Sequence, residues 1–95
     1  MAAHVLQYKY WNNGGSLYYV GDVDLVGKSY PKWHYPARLL GLSPVEFIAL
    51  LQTSFNAVII GFNGSLLQYA FKSETDADKF CKYINTKAKS VSFIV

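Results

Sequence analysis

A single cysteine, Cys81, occurs among the 95 residues, which excludes an intrachain disulfide and any zinc site built from several thiolates. Charge is sparse as well: six acidic and nine basic side chains make up 16% of the chain and leave a net charge of +3. That balance permits an acidic partner but falls short of the concentrated cation of a dedicated nucleic-acid binder. No apolar run approaches the roughly 20 residues that a membrane-spanning helix needs. The opening Met-Ala-Ala-His-Val-Leu has neither the basic flank nor the long apolar stretch of a secretion leader. The expected location is therefore cytoplasmic, with no membrane partner.

Catalytic spacings are missing too. Gly27-Lys28-Ser29 is similar to the end of a phosphate loop, yet position 22, where that motif needs glycine, holds aspartate, and Tyr30-Pro31 stops an immediate helix. Asp22 and Asp24 lack the glycine and later glutamate of a calcium loop. His4 and His34 are far apart in sequence, without a ligand-like neighbour, and Cys81 falls at helical spacing with Ala77, Phe80 and Ile84, as a small core residue would. The chain thus reads as non-enzymatic, with no catalytic residue, metal or cofactor.

What is present is apolar and aromatic. Hydrophobic residues make up 52% of the chain and aromatic ones 17%, enough for one domain over residues 1–95 that buries about 60–68% of its unfolded surface. Turn signals divide it into two similar halves. Residues 4–11 and 16–21 flank Asn12-Asn-Gly-Gly15, with Asn13-Gly14 as a two-residue turn, and residues 57–62 and 65–72 flank Asn63-Gly64 in the same role. Helices are expected over 43–55 and about 75–88, the second capped by Ser73 or Thr75, and Ser90-Val-Ser-Phe-Ile-Val95 reads as a last strand. The order ββα-ββα-β defines an α+β class, an antiparallel sheet with two main helices on one face.

Two-residue turns set the register and so the facing of every side chain. On that basis Val58, Ile60, Phe62, Leu67, Tyr69 and Phe71 face the core. In the first hairpin Leu6, Tyr8, Tyr10, Leu17 and Tyr19 share one face, and Gln7, Lys9, Trp11, Tyr18 and Val20 the other. Lys9 with Trp11 and Tyr18 on a sheet face uncovered by helices is either a platform for protein docking or base stacking, or an ordinary cross-strand pair. The connector 22–36 is the second candidate surface, long for a compact domain. Its Lys28, Tyr30, Lys32, Trp33, His34 and Tyr35, followed by Arg38, would either clamp a phosphate or acidic surface or close the end of the core.

Residues 36–51 have the spacing of a helix-turn-helix: a short apolar turn with Ala37, then Gly41, then Ser43-Pro-Val-Glu46 as a capping box. Residues 43–55 nevertheless contain no Lys or Arg, so contacts to phosphates and base edges are poorly supplied, and a helical hairpin serving as core is the favoured reading. The run Ala37-Arg-Leu-Leu-Gly-Leu-Ser-Pro-Val-Glu-Phe47, with Asn56-Ala57 and the strand beyond, resembles short proteins carried by bacterial phages and mobile elements, over about residues 33–89. That resemblance implies a small protein acting by binding and blocking a host component, antiviral defence included. It carries over no functional residue.

The expected function is accordingly a non-enzymatic binder that occludes a bacterial host or defence protein, as an anti-CRISPR-like inhibitor does. Two alternatives stand beside it: a module that sequesters or senses a nucleotide-like phosphorylated ligand, and a small DNA-binding regulator using residues 36–55. A protein partner is expected first, nucleotide or nucleic acid second, and a homodimer is compatible with the sequence.

Overall fold

A computed structural model describes residues 3–4, 7–12, 14–22, 34–63, 67–90 and 93–94. Its elements are β1 (Ala3–His4), β2 (Tyr8–Asn12), β3 (Tyr18–Asp22), α1 (His34–Leu40), α2 (Pro44–Ser54), β4 (Ala57–Phe62), β5 (Leu67–Phe71), α3 (Glu74–Ser90) and β6 (Phe93–Ile94). Two antiparallel hairpins join through β3 and β5 into a four-stranded sheet of order β2-β3-β5-β4. The helices pack on one face of it, which is the α+β arrangement that the alternating turn and helix signals predict. The last strand departs from that expectation in one respect: it pairs with β1 in a separate two-stranded sheet.

Local chemistry explains the helices. The Ser43 hydroxyl accepts from Glu46 N–H at 3.3 Å, and Glu46 Oε1 accepts from Ser43 N–H at 2.9 Å, with Pro44 at the first turn. Each end of this box satisfies an amide that the helix itself leaves open. The Ser43 amide and hydroxyl hold the Glu46 carboxyl below its ordinary value. α1 stops at Gly41, whose φ of +69° is left-handed. There Gly41 N–H donates to Arg38 O and Leu42 N–H to Ala37 O, the paired closure that glycine permits at a helix end. For α3, Ser73 is the cap: its hydroxyl accepts from Asp76 N–H at 3.3 Å, and Glu74 and Asp76 occupy the positive end of the helix dipole.

Between helices and sheet the core is largely aromatic. Ala77, Phe80, Cys81 and Ile84 form the buried stripe of α3. The Phe80 ring lies 5.2–6.4 Å, centroid to centroid, from Tyr8, Phe47, Phe55, Tyr69 and Phe71. Burial, with a smaller contribution from Asp78, pushes the Cys81 thiol up to about 12, so it stays protonated at neutral pH. A thiol-specific chromogenic reagent is expected to react with Cys81 slowly in the native state and promptly in denaturant. Equal rates would contradict this placement.

Edge strand β2 is held from outside the sheet. Asn85 on α3 accepts from Tyr8 N–H at 2.7 Å and donates to Tyr8 O at 3.0 Å, so one side-chain amide does what a neighbouring strand would do. Asn85→Ala leaves both groups without that partner and is expected to cost about 1–3 kcal/mol. Urea unfolding measures the loss, and faster amide exchange at Tyr8 locates it.

The registers differ from those that two-residue turns would set. In the first hairpin Asn12 pairs with Tyr18 and Trp11 with Tyr19, leaving 13–17 as the connection. The cause is Asn12, whose Nδ2 donates to Gly15 O and Leu17 O and whose Oδ1 accepts from Gly14 N–H at 2.7 Å. A side chain that ties down a wide loop shifts the pairing by an odd number of residues, and every side chain of β3 changes face. In the second hairpin the last pair is Phe62 with Leu67, and Ile60 is an extra residue between the pairs Ile59–Tyr69 and Gly61–Gln68. Leu67, Tyr69 and Phe71 keep the expected core side. Ala57 and Ile59 take the core places expected of Val58 and Ile60; Ile60 is 48% exposed, and Phe62 at the end of the strand is 39% exposed.

Candidate binding face

The sheet face turned away from the helices is built from alternate residues of each strand. Tyr8, Tyr10 and Val20 point into or against the core, and Tyr10 donates its hydroxyl to Glu74 Oε1 at 3.2 Å at the start of α3. Lys9 and Trp11 of β2 therefore face the other way, paired with Gly21 and Tyr19 of β3. Gly21 and Ala70 of this face are both buried, whereas Lys9 is exposed and Trp11 is 39% exposed.

The indole leans diagonally over Gly21. A methyl group placed there would stand 3.2 Å from Trp11 Cη2, so glycine at 21 lets the ring lie low on the sheet. The result is a flat ring with one side supported by backbone, a tyrosine directly across from it and a lysine two residues along. Aromatic residues of this type, partly fixed before binding, lose little entropy on docking and bury a large area.

The expected site residues divide as follows. Lys9 and Trp11 lie together on this face, as the alternation predicts. Tyr18 does not: the Asn12 loop turns it toward the core, where its ring meets Tyr10 edge to face at 6.4 Å. Tyr19 stands in its place. Arg38 is exposed on α1, in the helical layer on the opposite side of the sheet, so it does not join Lys9 and Trp11. Lys28, Tyr30, Lys32 and Trp33 lie outside the described residues, as do the side chains of His34 and Tyr35, whose backbone begins α1.

Gly21, like Tyr19, is a part of the site that the sequence pattern did not reveal. A glycine inside a strand is a sign of close approach by another group, and here that group is the Trp11 indole. On α3 three cations are engaged locally: Lys82 pairs with Asp78 at 2.9 Å, and the Lys79 and Lys87 ammonium groups sit 5.9 and 5.5 Å from the Phe55 and Tyr83 rings. They serve the surface of α3, as a solvated helix face would. Among the described residues no three His, Cys, Asp or Glu side chains are grouped to hold a metal ion, and no described helix is long and apolar enough to cross a membrane.

No family model matches the chain, and neither a curated protein nor a solved structure is significantly similar to it.

Proposed function

We propose that the protein is a non-enzymatic binding module that docks a protein partner against the sheet face turned away from its helices, with Trp11 as the anchor and Tyr19 and Lys9 beside it. The observation that carries this reading is the indole that rests on Gly21 and is still 39% exposed. A large ring left this accessible, with a tyrosine and a cation next to it, has the composition of an interface centre. Lys9 and the net charge of +3 favour a partner that is acidic where it meets the sheet.

In the context that the resemblance to phage and mobile-element proteins implies, the partner is a bacterial host or defence protein, and binding blocks it. A second reading rests on the same face: the exposed indole beside Lys9 is also a stacking surface for a base with a cation for its phosphate. The DNA-regulator reading is weaker, because the exposed part of α2 brings no cation toward a phosphate.

One experiment separates these readings. The wild-type chain and its Trp11→Ala, Tyr19→Ala and Tyr18→Ala variants are immobilised and exposed to bacterial lysate. A protein that the wild type retains and the Trp11 and Tyr19 variants lose supports the proposal. Capture that is equal in all four chains overturns it. Absorbance at 260 nm released by heat from the wild type, and from neither of those two variants, would transfer the face to nucleotide binding.

A further inference from the structure

We propose that a second copy of this chain pairs along the outer edge of β4, continuing the four-stranded sheet across a two-fold axis into one of eight strands. The proposal is independent of the Trp11 face and concerns the opposite end of the sheet.

β4 is the last strand in the order, and among the described residues it pairs with β5 alone. Along its outer side, alternate amides and carbonyls are positioned for another strand. Proteins usually blunt such an edge with lysine, proline or an inward-pointing charge, and Ala57–Phe62 contains none of these. The neutrality extends well beyond the strand: from Phe47 to Phe71, which covers most of α2 and the whole β4–β5 hairpin, there is no charged side chain. The bulge at Ile60, in other settings a means of bending an edge away, here exposes an isoleucine.

The opposite edge is treated differently. β2 carries Lys9 at its second position, and Asn85 already occupies the amide and carbonyl of Tyr8. Among the described residues, strand addition is thus obstructed at β2 and not at β4, which gives a closed pair instead of a growing fibre.

The occupant follows from charge. A strongly charged strand would find no counter-charge along β4. An identical strand laid antiparallel meets its own neutral, apolar sequence, and the cations among the described residues stand off β4: Lys9 on β2, Arg38 on α1, Lys72 just after β5 and the lysines of α3. Two copies approaching through β4 therefore bring no like charges together along the strand, while the exposed apolar area at Ile60 and Phe62 is removed from water.

Light scattering on a sizing column over a dilution series is the test. The wild type is expected at twice its 10.7 kDa at high concentration, falling toward 10.7 kDa on dilution. Ile60→Lys and Ile60→Glu should each halve the mass at a concentration where the wild type is paired, with unchanged far-ultraviolet circular dichroism showing that the fold persists. Mixing the two variants should restore the doubled mass, because opposite charges then face each other near the axis. Trp11→Ala should leave the pair intact. The proposal is overturned if the wild type stays at 10.7 kDa throughout, if both Ile60 variants keep the doubled mass, if Trp11→Ala abolishes it, or if mass climbs without limit.

Discussion

Phe80→Ala is expected to lower the free energy of unfolding by about 3–5 kcal/mol, the largest stability effect of any single truncation in this core. Phe80 is fully buried in the middle of α3 and meets the rings of Tyr8, Phe47, Phe55, Tyr69 and Phe71. It therefore joins β2, α2, the α2–β4 junction and β5 to the long helix. Alanine removes the transfer energy of the ring and leaves a cavity whose walls belong to separate elements, so partial collapse cannot fill it. For a domain of this size each kcal/mol moves Tm by about 4–8 °C, so a fall of more than about 12 °C is the calorimetric signature. Phe80→Leu retains most of the volume but loses the ring pairs, each worth about 0.5–1.5 kcal/mol beyond its area, and should fall between wild type and Phe80→Ala. A cost under about 1 kcal/mol for the alanine variant would show that the five rings do not converge on residue 80.

Trp11→Ala should divide the two effects the other way, costing less stability than Phe80→Ala while removing binding. The ring is 39% exposed and rests on Gly21, so its loss opens no internal cavity. At a docked interface the same truncation strips an anchor, for which about 2 kcal/mol or more is typical, a weakening of about 30-fold. The measurement is calorimetric titration with the captured partner, beside thermal unfolding of the free chain. Tyr18 and Tyr19 make the comparison decisive. Tyr19→Ala is expected to weaken binding with little loss of stability. Tyr18→Ala should lower stability, because its ring packs against Tyr10 on the core side, and should leave affinity for the folded protein close to wild type. Were Tyr18 the residue that mattered for binding and Tyr19 the one for stability, the assignment of faces would be inverted.

Those paired variants probe the point at which sequence and structure part. The capping box at Ser43 and Glu46, the glycine stop at Gly41, the cap of α3 and the apolar stripe Ala77, Phe80, Cys81, Ile84 are all legible in the chain, because each depends on residues within one or two helical turns of one another. Strand positions were legible to within a few residues for the same reason. Lys9 and Trp11 were found as neighbours on one face by alternation alone. Tyr19 was not, since its facing depends on how many residues the first connection holds, and Asn13-Gly14 is so favourable a two-residue turn that the wider loop tied by Asn12 is masked. Ile60 was misplaced by the same arithmetic: one extra residue in β4 inverts the facing of what precedes it.

The chain by itself therefore determined its helices, their ends and the residues that seal the core around α3. Tertiary structure alone decided which aromatic rings of the first hairpin look outward, that β1 and β6 pair apart from the main sheet, and that β4 and β2 become its two edges, β4 pairing among the described residues with β5 alone and β2 held by Asn85. The division has a physical origin. Helical caps and stripes are set by contacts a few residues apart, whereas the facing of a strand is a parity that a single inserted residue or a hydrogen-bonded loop reverses, and an edge exists only once every strand has found its neighbour.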